Sequence, residues 1–163
     1  MSKPIIYQLF PRYFANYNET RAYNGSKEEN GCGRFADINK RALKSIVDLG
    51  ATHVWYTGII RHATAQYNNP AITKGKAGSP YAITDYYDVD PDLAKNESKR
   101  MQEFESLVKR THEAGLGVLI DFVPNHVARE YKSVCKPEGV EDLGENDPPE
   151  WAFSPLNNSY HLP

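Results

Sequence analysis

Gly117-Val-Leu-Ile-Asp121-Phe-Val-Pro-Asn125-His126 decides how the rest of the chain is read. Residues Gly117–Val123 form an apolar run without polar alternation, the pattern of a strand apolar on both faces in a covered, usually parallel, sheet. The segment then places a carboxylate at the strand's end and a carboxamide and an imidazole on the loop beyond it. Groups at the carboxyl ends of parallel strands converge on the face where α/β proteins bind ligands. A lone Asp and His would be explained by capping and hydrogen bonding. The full pattern at a strand's end reads as functional.

Upstream, Ser98–Ala114 predicts a helix with Met101, Phe104, Val108 and Thr111 on one stripe, Leu107 flanking it, and Gly115 as the stop. His53–Thr57 predicts a second strand. Before it, Ile38, Ala42, Ile46 and Leu49 mark a helix with Asp37 as N-cap and Gly50 as its end. Ile5–Phe10, between Pro4 and Pro11, predicts the first strand. The order β-α-β-α-β argues for an α/β fold with right-handed crossovers. The helix-to-strand links at Gly50 and Gly115 are short, whereas the strand-to-helix links, Arg12–Ala36 and Gly58–Lys95, are long and polar. Those long links lie on the carboxyl-end face in a parallel barrel and in a doubly wound sheet alike, so they place a site without choosing the fold.

Downstream of Val123 the chain turns polar, and no further helix–strand pair follows before Pro163. A complete (β/α)8 barrel has eight strands and about 250 residues. Three strands cannot close one, so the reading is of a piece with exposed sheet edges, or a chain needing a partner piece.

The second functional segment is Gly78-Ser-Pro-Tyr81-Ala-Ile-Thr-Asp85-Tyr86-Tyr87-Asp88-Val-Asp90-Pro91. It mixes aromatics with carboxylates on the long link after the second strand. For Tyr86 and Tyr87, simple packing on the scaffold is an equally good reading.

Composition narrows the function classes. A formal charge of −2 over 163 residues offers no basic footprint for nucleic acid. No apolar run approaches the roughly 20 residues of a membrane span. The opening Met-Ser-Lys-Pro shows no secretory signal, so a cytoplasmic site is expected, with a periplasmic or secreted mature form the alternative. Cys32 and Cys135 read as free thiols. Gly31-Cys-Gly33-Arg-Phe-Ala36 matches a dinucleotide fingerprint. That fingerprint works only where strand, turn and helix are contiguous, so a flexible loop is the better reading.

These motifs together resemble the α-amylase family of glycoside hydrolases. Asp121-x-Val-x-Asn125-His126 resembles its first conserved region. Ile5-Ile-Tyr-Gln-Leu-Phe-Pro-Arg-Tyr-Phe14 is similar to its first barrel strand, and Phe35-Ala-Asp-Ile through Trp55 to its first helix and second strand. Ser79-Pro-Tyr81-Ala-Ile-Thr-Asp85-Tyr-Tyr is similar to its Gly-Tyr…Asp-Tyr-Tyr loop. The likeness covers about the first 130 residues in the correct order. Two departures stand out: Asn16-Tyr-Asn18 lacks the Asp-rich calcium loop of some members, and Thr57-Gly58-Ile59 replaces the proline usual near the end of the second strand.

The resemblance implies a fold and a chemistry. Residues 1–123 would be the first three β/α units of a TIM-type (β/α)8 barrel, incomplete here. Residues 124–163 would begin the subdomain inserted after strand three. The activity would be retaining hydrolysis of α-glucans or maltooligosaccharides. An α-glucosyl transferase or sucrose phosphorylase-like enzyme, or a non-catalytic glucan-binding module, is the alternative. Tyr81 would stack on the sugar at the cleavage subsite, and His126 would hydrogen-bond the same sugar. Asp121 would pair with an arginine near the nucleophile, and Asn125 could bind a structural calcium, the one cofactor implied. The nucleophile and the acid/base would lie downstream, in the missing C-terminal barrel half. Without that arginine, Asp121 is expected to be substantially buried and partnered by water, backbone groups or His126.

Overall fold

The computed structural model describes residues 3–148 and 150. Five strands and three helices follow in the order β1 (Ile6–Leu9), α1 (Lys27–Asn30), α2 (Lys40–Asp48), β2 (His53–Tyr56), β3 (Ile60–His62), β4 (Ile83–Val89), α3 (Arg100–Glu113) and β5 (Gly117–Ile120). A parallel sheet has the order β1-β2-β5, with Leu9 opposite Tyr56 and Tyr56 opposite Ile120. β3 and β4 pair antiparallel as a separate, irregular ribbon.

The α/β order read from the sequence is present, with shifted boundaries. α2 begins after Asn39 instead of Asp37, because Asn39 Oδ1 accepts from the N–H of Arg41 and Ala42. Asp37 closes a preceding 3-10 turn by accepting from the N–H of Arg34 at 2.8 Å. α3 starts at Arg100, behind a turn capped by Asn96. Glu103 reaches back from its first turn to accept from the N–H of Lys95 and Asn96.

The core lies between the sheet and its helices. Leu9, Val54 and Tyr56 face Phe35, Ile38, Leu43, Ile46 and Leu107, all almost fully buried. Burying such a side chain contributes on the order of 1.5–3 kcal/mol. Thr111 donates to Leu107 O at 2.8 Å, so its oxygen is left to accept from the Tyr56 hydroxyl at 2.6 Å. That relay lets a phenol sit inside the core with its polar tip satisfied.

β5 departs from the expectation of a covered strand: Leu119 is 39% and Ile120 47% exposed. Among the described residues it pairs with β2 along one edge and has no neighbour along the other. β1 is similarly open, with Ile5 and Ile6 exposed. These are the bare edges that three strands of a barrel would leave.

Candidate functional site at the strand ends

Side chains alternate along β2, so Tyr56 enters the core while Trp55 takes the opposite face. The parallel register sets Trp55 opposite Leu119, and Asp121, two residues on, shares that face. The Trp55 indole N–H donates to one carboxylate oxygen of Asp121. The N–H of Gly58 donates to the other at 3.1 Å. Trp55, Tyr81, Leu119, Asp121 and Phe122 line an open depression of about 460 Å³.

Asp121 is half-buried, short of the substantial burial expected, because β5 has an uncovered edge. Its partners are a backbone N–H, as anticipated, and an indole that sequence reading did not identify. His126 is elsewhere: its Nδ1 lies 3.2 Å from Asn125 Oδ1, and both residues are exposed on the loop after β5. That loop is tied to the β3–β4 ribbon through Tyr86, whose hydroxyl donates to the carbonyls of Val123 and His126. Tyr86 also packs on Phe122 and Tyr131, and burial pushes its phenol up from the ordinary value. The structure thus favours packing for Tyr86, while Tyr87 is exposed.

Tyr81 comes to the depression on a constrained loop. Gly78 has φ +70, and a Cβ there would sit 1.7 Å from the Ala63 carbonyl oxygen. Ala82 N–H donates to Ser79 O, and Ala63 N–H donates to Ala82 O, which returns the chain to β4. Tyr81 itself stays 40% exposed. Tyr81 and Asp121 therefore meet at one depression, whereas Asn125 and His126 are paired with each other on the neighbouring loop.

The remaining carboxylates of the second segment have other work. Asp88 accepts from Arg61 at 2.9 Å and from Arg100 at 2.8 Å, and these cations hold its carboxyl below the usual range against the opposing effect of burial. Asp90 pairs with Arg12 at 3.0 Å. His62 completes that group. Its Nδ1 lies 3.1 Å from Ile60 O, which can only accept, so Nδ1 carries the proton and Nε2 is left to accept from Arg12 at 3.3 Å. Asp92 holds Lys27 at 2.7 Å; burial works against the lysine's charge, but Asp92 raises its pKa overall. Asp85, fully buried, accepts from the N–H of Tyr87, Val134 and Cys135. Arg12, Arg61, Arg100 and Lys27 carry no local signal that would have revealed these pairings.

Asp85, Asp88 and Cys135 are close enough to share a metal ion. Their positive charge is already supplied by Arg61 and by Arg100, which also reaches Cys135 Sγ at 3.4 Å. Calcium takes six to eight oxygens. The neighbour of Asn125 Oδ1 is an imidazole nitrogen, so a calcium there would need oxygens from elsewhere, and nothing in the site's chemistry runs through it. Both cysteines are free thiols, as read. The Gly31–Ala36 segment follows α1 instead of a strand and runs into the 3-10 turn at Phe35, so it does not make the contiguous strand–turn–helix unit of a dinucleotide site. Gly33 N–H donates to Arg12 O, and a Cβ on Gly33 would lie 2.2 Å from the carbonyl oxygens of Pro11 and Phe14. Its glycine serves close backbone packing, not a pyrophosphate. A second depression, along α3 around Met101, Phe104 and Val108, is apolar.

The family model described as the alpha amylase catalytic domain matches residues 8–154. The chain is 28% identical over 143 residues to maltase 1 of Drosophila virilis, covering 85% of this chain and 18% of that protein. It is also 28% identical over 123 residues to an amino acid transporter heavy chain of Homo sapiens, covering 76% of this chain and 14% of that protein. Among solved structures, an alpha-amylase from Lactobacillus plantarum superposes with a TM-score of 0.56 at 31% identity, covering 80% of this chain and 24% of that one. The chain therefore spans about a quarter or less of the length of these relatives. No helix among the described residues is long and apolar enough to cross a membrane.

Proposed function

The chain belongs to the alpha-amylase family, and from that premise we propose that it forms the sugar-facing wall of a retaining glycosidase acting on α-glucans or maltooligosaccharides. In this reading residues 1–123 are the first three units of a (β/α)8 barrel and residues 124–163 open the inserted subdomain. The observation that carries the proposal is the meeting of Tyr81 and Asp121 at one open depression on the carboxyl-end face. An exposed tyrosine ring offers the flat apolar surface on which a glucosyl ring stacks, and Asp121 offers charge and hydrogen-bond acceptors at its edge.

Retaining cleavage needs two carboxylates about 5–5.5 Å apart, one as nucleophile and one as acid/base. Asp85, Asp88, Asp90 and Asp92 are committed to backbone N–H groups or to cations. We assign the reacting pair to other strands of a complete barrel. The role left to this chain is to bind and orient the sugar: Tyr81 stacks, His126 hydrogen-bonds from the adjacent loop, and Asp121 organises charge near the reacting carbon. A structural calcium at Asn125 belongs to the proposal as a stabilising ion without a chemical role. Transfer to an acceptor other than water, as in a glucosyl transferase or a sucrose phosphorylase-like enzyme, uses the same wall.

Isothermal titration of the purified chain with maltotriose tests this. Tyr81→Ala should weaken binding by about tenfold, close to the upper end of an aromatic stacking contribution. Equal affinity for both proteins would refute the assignment. A second reading, sugar binding without turnover, draws on the similarity to a transporter heavy chain. Turnover of a nitrophenyl maltoside by the chain alone, abolished by Tyr81→Ala, would exclude that reading and also the assignment of the carboxylate pair to other strands.

A further inference from the structure

We infer that Trp55 and Gly58 are positioning residues. They form a two-pronged N–H clamp that aims Asp121 into the depression before any sugar or cation arrives, and Gly58 sets the Tyr81 loop at the same time. The inference rests on the function proposed above and adds two residues that the motif pattern did not mark.

Three observations converge on Gly58. Its N–H donates to Asp121 Oδ2 at 3.1 Å. Its φ is +71, a conformation that L side chains rarely adopt. A Cβ at this position would lie 2.7 Å from the Phe10 ring and 2.9 Å from Pro80 Cβ. Phe10 follows β1, and Pro80 directly precedes Tyr81. One residue without a side chain thus lets the ends of three elements close on each other: the loop after β1, the Tyr81 loop, and Asp121 after β5.

The family pattern has a proline near this point. A proline lacks the N–H and fixes φ near −65°, so it could supply neither the hydrogen bond nor the turn seen here. With a glycine in Thr57-Gly58-Ile59, position 58 supplies both. Trp55 supplies the second prong, its indole N–H bonding the other carboxylate oxygen. With both oxygens engaged, rotation of the carboxylate is restricted, while lone pairs remain for a ligand or an arginine.

The clamp is testable on the chain as it stands. In 1H–15N spectra recorded from pH 3 to 8, the Gly58 amide and the Trp55 indole proton should shift together with a single midpoint. Both transitions should vanish in Asp121→Asn. Resonances that move independently, or that still titrate in Asp121→Asn, would overturn the clamp. Maltotriose affinity supplies a readout that a purely structural role would not move. Trp55→Phe keeps a ring but removes the donor, and should weaken binding about tenfold when Asp121 is present. It should cause no further loss in an Asp121→Ala background, where no acceptor is left to aim. An equal loss in both backgrounds would make Trp55 a direct sugar contact and overturn its positioning role. If the unsubstituted chain binds no maltotriose, the proposed function fails, while the spectra still decide whether the clamp exists.

Discussion

Two regions of this molecule place carboxylates at the ends of strands, and they use them in opposite ways. At the end of β4 and just beyond it, Asp88, Asp90 and Asp92 are buried and each holds a cation from another element or loop. At the end of β5, Asp121 is half-buried, held by uncharged N–H donors, and open to a depression. In the first region each negative charge is cancelled by a partner that also satisfies its geometry, so those aspartates tie the long loops to one another and to the start of α3. In the second the charge is oriented without being neutralised, which leaves it able to act on a ligand. Proximity to a strand's end does not make an acid functional; what matters is how much of its bonding capacity the fold has already used.

The largest effect expected from this contrast is on stability. Asp88→Ala strands Arg61 and Arg100 without their shared anion, which should cost about 3–5 kcal/mol in urea unfolding. A loss below about 1 kcal/mol would mean that the ribbon's ion pairs are as weak as surface pairs.

Acid should separate the regions next. Asp88 has a folded pKa below its unfolded value, because Arg100 and Arg61 outweigh its burial. Its contribution is therefore fully present above the unfolded value, near 4 for an aspartate, and is lost as pH falls through the lower folded value. Urea midpoints measured from pH 7 down to pH 2.5 should fall more steeply below pH 4 for the unsubstituted chain than for Asp88→Asn. Parallel curves would remove Asp88 from the account.

Much of this contrast was out of reach of the sequence. Tyr81 and Asp121 were legible because each sits in a dense motif next to a strand. The cations were not: Arg12 reaches Asp90 across 78 positions, and no local pattern announces the pairing. The β3–β4 ribbon was missed for a related reason. Ile60-Arg61-His62 is short and mostly polar, and His62 is buried and Arg61 half-buried only because partners arrive from elsewhere. Asp37 and Asn39 are both good caps by residue type. The choice fell to Asn39 once Asp37 had accepted from Arg34.

A smaller effect is expected at the site. Asp121→Asn keeps shape and acceptor while removing charge, so unfolding stability should change by less than about 1 kcal/mol. Maltotriose binding should weaken all the same. A stability loss as large as that of Asp88→Ala would place Asp121 with the structural acids. The smallest change should come from Asp48→Asn, which breaks the exposed Lys44–Asp48 pair on α2 at a cost of no more than about 0.5 kcal/mol. A larger cost there would show that exposure is a poor guide to which ion pairs hold this fold.

The sequence by itself determined the α/β order, the helix faces and the polarity that puts the long links at the carboxyl ends of the strands, and it offered Tyr81 and Asp121 as candidates. These are legible because periodicity, stop residues and strand-end motifs are properties of neighbouring positions. Only the tertiary structure decided which carboxylates were spent on cations, that Asp121 is held by Trp55 and Gly58, and that position 58 must be a glycine. Those outcomes depend on distances between segments tens of residues apart, which are set when the core of Leu9, Val54, Tyr56 and Leu107 closes and brings the loop ends together.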